Sequence, residues 1–349
     1  MKTRTLLVDS SYLLKRSFHG AKDTYTGSFG HIGGLYSFMT TIRKQIKKHM
    51  INKVVLVWDG QKGGIMRFLI DVKYKANRKN KEWHKIELTE REIKREKEKE
   101  ESILKQRQRI QAYAEELFLR QIEVEEIEAD DIIAMYCMKY NNKEEIYLYS
   151  NDRDFAQFLD LNITILFPNI NEPVTRTNYM MYFNHHYSNA LTIKIIEGDT
   201  ADNIDGVGGL KEKTLLSHFP ELKYMSLTVR EICIKADEIN KQRIVERKKP
   251  LKSLETLLNS VKRLKLNHSL VNLRQPMLNE QAEDELKQIE CPLSPEGRGS
   301  QNLLKMMRED DFLTIYGGTF VNYVEPFYVV IMHEKQLLTE YQKNNRRKT

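Results

Sequence analysis

The sequence predicts an α/β protein in which a mostly parallel sheet is sandwiched by helices. Three observations carry that expectation. Short apolar runs recur at residues 5–8 (TLLV), 54–58 (VVLVW), 146–149 (IYLY) and 163–167 (ITILF). Segments with helical spacing lie between them, as in a parallel sheet covered on both faces. Three of the runs stop at or just before an aspartate: Asp9, Asp59 and Asp152. In open sheets of this type, functional sites lie beyond the carboxyl ends of the strands.

The chain has 349 residues, enough for one large or two ordinary domains with a real core. Hydrophobic residues make up 40%, a globular value, and the formal net charge is +7. That excess suits nucleic acid or an anionic surface, although a solvated basic protein would also carry it. Cys137, Cys233 and Cys291 are odd in number and far apart, so they form neither a zinc motif nor a disulfide framework. Reduced thiols in a cytoplasmic protein are the expectation. The basic, apolar start is interrupted by Asp9 and lacks a small-residue cleavage site, which argues against a signal peptide. No stretch approaches the roughly 20 apolar residues of a membrane span.

Taken in order, residues 5–8 form the first strand and residues 33–48 a helix. The second strand ends at Asp59-Gly60. Residues 73–109 are rich in lysine and arginine interleaved with glutamate, and apolar residues are sparse before Ile110. No core can hold so polar a helix, and the composition fits either a solvated surface helix with charged i,i+4 pairs or a disordered insert. Residues 146–149 and 163–167 supply further strands. Residues 200–218 read as a glycine-bearing turn leading into a helix. The chain beyond Pro220 is mostly helical, with a break at 291–299 and a mixed stretch at 317–328. The expected division is a 1–195 core with an arch at about 73–112, a helical region at 196–290, and an extension at 291–349.

Four groups of residues carry chemistry. Asp9, Asp59, Glu128 and Asp130 are the first, with Asp131 beside them at a helix start. Hard carboxylate oxygens suit Mg²⁺ or Mn²⁺ rather than zinc. Asp130 and Asp131 would also serve as plain helix caps. The second group pairs Asp152 and Asp154 with Asp199 and Asp202. Burying so many acids together costs several kcal/mol per ion unless cations neutralise them. The third is Tyr74-Lys75-Ala76-Asn77-Arg78. Lys75 and Arg78 sit one helical turn apart and could clamp a phosphate, and Tyr74 could offer a face to a base. The fourth is the turn containing Gly206, Gly208 and Gly209, followed by Lys211 and Lys213, whose backbone N–H groups could face a phosphate. Each group alone is weak, since Asp- and Gly-rich turns are common.

Assembled in order, these residues resemble the flap endonuclease/5′→3′ exonuclease superfamily in its phage and bacterial polymerase I form. The match runs from about Thr5 to Phe219. The stretch Asn272-Leu273-Arg274-Gln275-Pro276 is loosely similar to phage RNase H-type members. The resemblance implies a three-layer nuclease core, and a helical arch from Arg78 to about Ile110 that takes a single-stranded 5′ end. It also implies a helix–hairpin–helix-like element over residues 203–219 that grips duplex backbone, sometimes with K⁺. Lys211 stands where that family usually has glycine, which bears on the K⁺. Two Mg²⁺ ions about 4 Å apart are implied. Asp9, Asp59, Glu128 and Asp130 would serve one, and Asp152, Asp154, Asp199 and Asp202 the other. Asp131 would orient water, and Lys75 and Arg78 would steady the scissile phosphate. The implied partners are DNA with a 5′ flap or 5′ end, an RNA–DNA hybrid, and a polymerase, clamp or single-strand-binding protein. A monomer in the host cytoplasm, of phage replication type, completes the expectation. A non-catalytic flap-binding protein on the same core is the main rival. A Rossmann oxidoreductase lacks its G-x-G-x-x-G after the first strand.

Overall fold

The computed structural model describes residues 2–22, 25–27, 30–79 and 89–346. Its strands are β1 (Thr3–Asp9), β2 (Thr26–Gly27), β3 (Gly30–His31), β4 (Lys53–Trp58), β5 (Arg120–Glu123), β6 (Glu144–Tyr149), β7 (Ile163–Leu166), β8 (Gly198–Asp199) and β9 (Ile204–Asp205). Five form one sheet in the order β5-β4-β1-β6-β7, and every pairing in it is parallel. β2–β3 and β8–β9 are small antiparallel hairpins.

Alternation along β1 explains the layers. Leu6 and Val8 point into a core shared with the Ser10–Gly20, Gly33–His49 and Glu90–Glu116 helices, while Leu7 faces the core of the Ala129–Tyr140 helix. Both faces are apolar, so the central strands read as continuous hydrophobic runs. β5 (RQIE) is the strand that such runs do not reveal. Its Arg120 is buried and paired to Glu334 of the final helix at 2.6 Å, so a charged residue occupies a core position there.

Gly60, directly after Asp59, is required sterically. A Cβ there would meet the Val124 carbonyl oxygen at 1.7 Å. The close backbone approach brings the end of β4 against the turn leading to Glu128, and the Gly60 N–H donates to the Ile127 oxygen at 3.1 Å.

The arch expected over residues 78–110 is described only in part. Arg78 lies on the Ala76–Lys79 turn of helix, and residues 80–88 lie outside the described residues. The Glu90–Glu116 helix starts with a capping box in which Thr89 and Glu92 satisfy each other's backbone N–H groups. Its first half is almost wholly exposed. From Gln106 onward it buries Ile110, Tyr113 and Ala114 against the sheet.

A third cluster gathers the helices Ala190–Glu197, Glu212–His218, Val229–Val245, Lys252–Asn259 and Val261–Val271, with Tyr74 packed into it. Beyond it the chain returns to the core. Leu273, Ala282, Leu286 and Ile289 pack on the Ala129–Tyr140 side of the sheet. Leu303, Met307, Phe312, Tyr323 and Phe327 fill the opposite side. The 317–328 stretch is helical over Phe320–Val324. Residues 291–346 are thus partly core in character, because their aromatic rings complete a layer that the first half leaves open. Among the described residues no helix is long and apolar enough to cross a membrane.

Phe312 is fully buried among Tyr36, Tyr113 and Tyr323. Phe312→Ala is expected to lower unfolding free energy by about 3–5 kcal/mol, measured by urea denaturation. A loss on the scale of a surface substitution would show that the C-terminal segment is not integral to the core.

Candidate active site

The acids meet at the carboxyl edge of the sheet. Asp9 ends β1 and caps the following helix, its Oδ1 accepting from the Tyr12 N–H at 3.0 Å. The Ser150 hydroxyl, just past β6, donates to Asp9 Oδ2 at 3.1 Å and accepts from the Asp152 N–H at the same distance. One serine therefore ties the ends of the two neighbouring strands together. Asp59 accepts from the Ala129 N–H at 3.0 Å, which anchors the start of the Ala129–Tyr140 helix beside β4. Asp130, Asp152, Asp154, Asp199 and Asp202 line a single cleft with Arg67, Tyr74 and Lys194. The nine acids singled out in the sequence are spread over about two hundred positions, and the topology places them at one edge.

Their electrostatics show the strain of that arrangement. Burial, with repulsion from Asp59 and Asp152, pushes the Asp9 carboxyl up to about 7. Asp154 rises to about 7 through burial and the charge of Asp152. Asp130 is pushed well up by enclosure and by Asp152, Asp9, Glu128 and Asp59. Clustered carboxylates of this kind hold negative charge that the protein does not fully neutralise.

Partial neutralisation comes from three cations. Lys75 has a left-handed backbone (φ 53°), and its ammonium bonds Glu128 and lies 3.9 Å from Asp202. Lys194 sits between Asp199 at 2.6 Å and Asp154 at 3.2 Å. Burial works against the Lys194 charge, but Asp154, Asp152 and Asp199 outweigh it and push its pKa up. The Arg67 guanidinium grips Asp131 through two nitrogens, at 2.5 and 2.9 Å, and reaches Glu128 at 2.6 Å. Its Nε donates to the Leu270 carbonyl, so the Val261–Val271 helix is pinned to the site. Burial would raise the Glu128 carboxyl, but Lys75 and Arg67 hold it below the usual range.

Two expectations change. Tyr74 does not offer a face to a base. It is buried in the helical cluster, and its hydroxyl donates to Glu128 at 3.0 Å and to Asp202 at 3.3 Å. The apolar surroundings capture the ring, and the two acids capture the hydroxyl. Asp131 is neither a cap nor an open ligand, because Arg67 and the Met277 N–H occupy its oxygens. Lys75 is at the site, but it faces acids. Arg78 lies beside it in sequence on the Ala76–Lys79 turn.

The glycine turn is close by. A Cβ at Gly206 would meet the Glu197 oxygen at 1.9 Å, so glycine is needed for the backbone to pass there. Gly208 and Gly209 are exposed at the tip, and Lys213 is exposed on the next helix. Lys211 turns back on the protein, its ammonium donating to the Glu197 carbonyl at 3.2 Å. Sequence reasoning missed Arg67 and Lys194. Each is a lone cation inside an apolar helical run, IMRFLI and ALTIKIIE. A long charged residue in such a run is buried only when paired, and that was the available signal.

An open parallel sheet with an acid cluster at its carboxyl edge, braced by arginine and lysine, defines an α/β nuclease of the 5′-nuclease class. Residues 4–187 match the family model for the 5′–3′ exonuclease N-terminal resolvase-like domain, and the chain belongs to that family. A 5′–3′ exonuclease of Mycoplasmopsis pulmonis is 27% identical over 268 residues, spanning 73% of this chain and 81% of that protein. In fold, the chain is similar to zinc-bound T5 5′-exonuclease, with a TM-score of 0.61 and 20% identity over 89% of this chain and 99% of the other. It is likewise similar to the bacteriophage T5 flap endonuclease in a pseudo-enzyme–product complex with DNA and metal ions, with a TM-score of 0.60 and 19% identity over 90% and 100% of the two chains. The chain is therefore an enzyme of the 5′–3′ exonuclease family.

Arg67 and Asp131 are almost fully buried. Arg67→Ala leaves a buried acid without its counter-charge and is expected to cost about 3–5 kcal/mol of stability, read by chemical denaturation. A loss no larger than that of an ordinary surface change would refute the bracing role.

Proposed function

We propose that this edge hydrolyses phosphodiester bonds in DNA bearing a 5′ end or 5′ flap, using divalent cations. The observation that carries the reading is the convergence on one cleft of carboxylates from the Ala129–Tyr140 helix start, the turn after β6 and the β8–β9 hairpin, with the charges of Asp9 and Asp59 felt at Asp130. The donor set is all oxygen, which fits Mg²⁺, with Mn²⁺ as substitute. The raised pKa values of Asp9, Asp130 and Asp154 mark charge that a cation would compensate. Among the described residues, no three or more His, Cys, Asp or Glu side chains are arranged to hold an ion as they stand. Lys75 and Lys194 occupy that role, and each has a flexible stem on which to withdraw.

Asp9, Asp59, Glu128 and Asp130 would hold one ion, and Asp152, Asp154, Asp199 and Asp202 a second. Divalent ions there supply water activation and charge neutralisation at the phosphate. The chain's own residues do the rest. Arg67 and the Tyr74 hydroxyl fix Glu128, and Tyr74 also fixes Asp202. Lys194 orients Asp154 against Asp199. Lys75, on release from Glu128, and Arg78 would stabilise developing negative charge on the scissile phosphate. The Gly206–Lys213 turn would steady duplex backbone through its N–H groups.

Asp152→Asn is expected to cut cleavage of a labelled 5′-flap duplex in Mg²⁺ by about 100-fold or more, while binding persists. Wild-type turnover by that variant would remove Asp152 from the proposed ligand set. Chelation by EDTA should stop wild-type cleavage, and added Mg²⁺ or Mn²⁺ should restore it. Cleavage that continues in EDTA would remove the metal-dependent reading.

A further inference from the structure

A second charged cavity lies outside the acid site. It measures about 650 Å³ and is lined by Arg16, His19, Lys44, Lys48 and His49, with Glu172 the only acid on its walls among the described residues. Its lining includes Tyr149 and Leu166, the last residues of β6 and β7, so it borders the carboxyl ends of those two strands. Arg16, His19, Lys44 and Lys48 are exposed.

The cations here are not spent on ion pairs. Arg16 bonds Asn169 at 3.3 Å, and Lys48 donates to the Asn171 carbonyl at 2.9 Å. Among the described residues no carboxylate pairs with Arg16, Lys44 or Lys48, whereas Lys75, Lys194 and Arg67 are each held by acids. Glu172 is engaged by the Tyr182 hydroxyl at 3.0 Å. His49 Nε2 is a buried lining nitrogen with no hydrogen-bond partner among the described residues. A roomy cavity whose cations no carboxylate pairs among the described residues suits an anion.

We propose that this cleft holds the phosphodiester backbone of the nucleic-acid substrate at a point away from the cut. The inference rests on the nuclease reading and deepens it by adding a second, sequence-independent grip. Geometry sets the spacing. Arg16 lies seven residues beyond Asp9, two turns along the helix that Asp9 caps, or about 10 Å. Asn169 and Asn171 hold Arg16 and Lys48 at one rim, so the cations are placed before the strand arrives.

The test compares wild type with an Arg16→Ala, Lys44→Ala, Lys48→Ala variant. Affinity for a 5′-flap duplex is measured across salt concentrations in Ca²⁺, alongside cleavage by wild type in Mg²⁺. The variant should bind more weakly, and the slope of log affinity against log salt should fall by about one per contact removed. An Arg16→Lys, Lys44→Arg, Lys48→Arg variant should keep the wild-type slope, because charge and not shape does the holding. Shortening the duplex arm until it cannot reach the cleft should abolish the difference between wild type and the alanine variant. Equal affinity and slope in the alanine variant, with wild type still cutting, would overturn the cleft alone. Lost affinity in the charge-preserving variant would overturn it as well. So would a difference that persists on the shortest arm, since the cleft would then take a mononucleotide-sized anion. Wild type that neither binds nor cuts would sink the nuclease reading along with it.

Discussion

Like charges forced together at one edge of the sheet are the constraint on which the rest of this structure depends. The parallel order β5-β4-β1-β6-β7 brings the ends of β1, β4 and β6 side by side, so Asp9, Asp59 and Asp152 must be neighbours. The turn before the Ala129–Tyr140 helix adds Glu128 and Asp130, and the β8–β9 hairpin adds Asp199 and Asp202. Loss of water, and then repulsion among them, raise the pKa of Asp9, Asp130 and Asp154. The fold moderates this where Arg67, Lys75 and Lys194 stand against Glu128, Asp131, Asp154 and Asp199. A buried pair of this sort adds little net stability over an apolar one, but removing one partner is expensive. Arg67, Lys75 and Lys194 are therefore part of the structure as well as of the site.

That view explains why the helical region sits where it does. Arg67 spans from Asp131 and Glu128 to the Leu270 carbonyl, Tyr74 sits in the helical cluster with its hydroxyl on two acids, and Lys194 projects from the Ala190–Glu197 helix. Each link joins the sheet edge to the helices beyond residue 190. The backbone joins them too, with the Lys75 N–H donating to the Asp202 carbonyl at 2.8 Å. The geometry of the acids is thus set by packing some distance away, as a site that must hold charge at fixed spacing requires.

Much of this was legible in the sequence, and the rest was hidden for physical reasons. The central strands were readable because burial on both faces makes them continuous apolar runs, and the acids because each group follows such a run or opens a helix. β5 was not readable, since Arg120 takes a core position by pairing with Glu334, more than two hundred residues later. No local pattern records so distant a partner. Tyr74 misled for a related reason. In the string YKANR it reads as an exposed aromatic among cations, yet its neighbours in space are Glu128, Asp202 and a hydrophobic cluster. The roles of Arg67 and Lys194 depend on carboxylates brought to them by the fold. The 300–330 stretch fills a layer whose other half lies in the first sixty residues, a relation that only the packed structure reveals.

The distribution of positive charge follows from the same constraint. A polyanion must approach an edge whose own carboxylates repel it, so a net charge of +7 is useful only if the unpaired cations stand apart from the acids. Cations inside the site cannot serve in long-range attraction, because Arg67, Lys75 and Lys194 are already engaged by acids. Those lining the cavity at Arg16, Lys44 and Lys48 are not paired to carboxylates among the described residues, and Arg16 lies about 10 Å from Asp9 along one helix. That separation is comparable to the Debye length at physiological salt. A backbone held there feels the basic cleft strongly and the acid cluster weakly. Attraction and reaction can then be divided between two places on one edge.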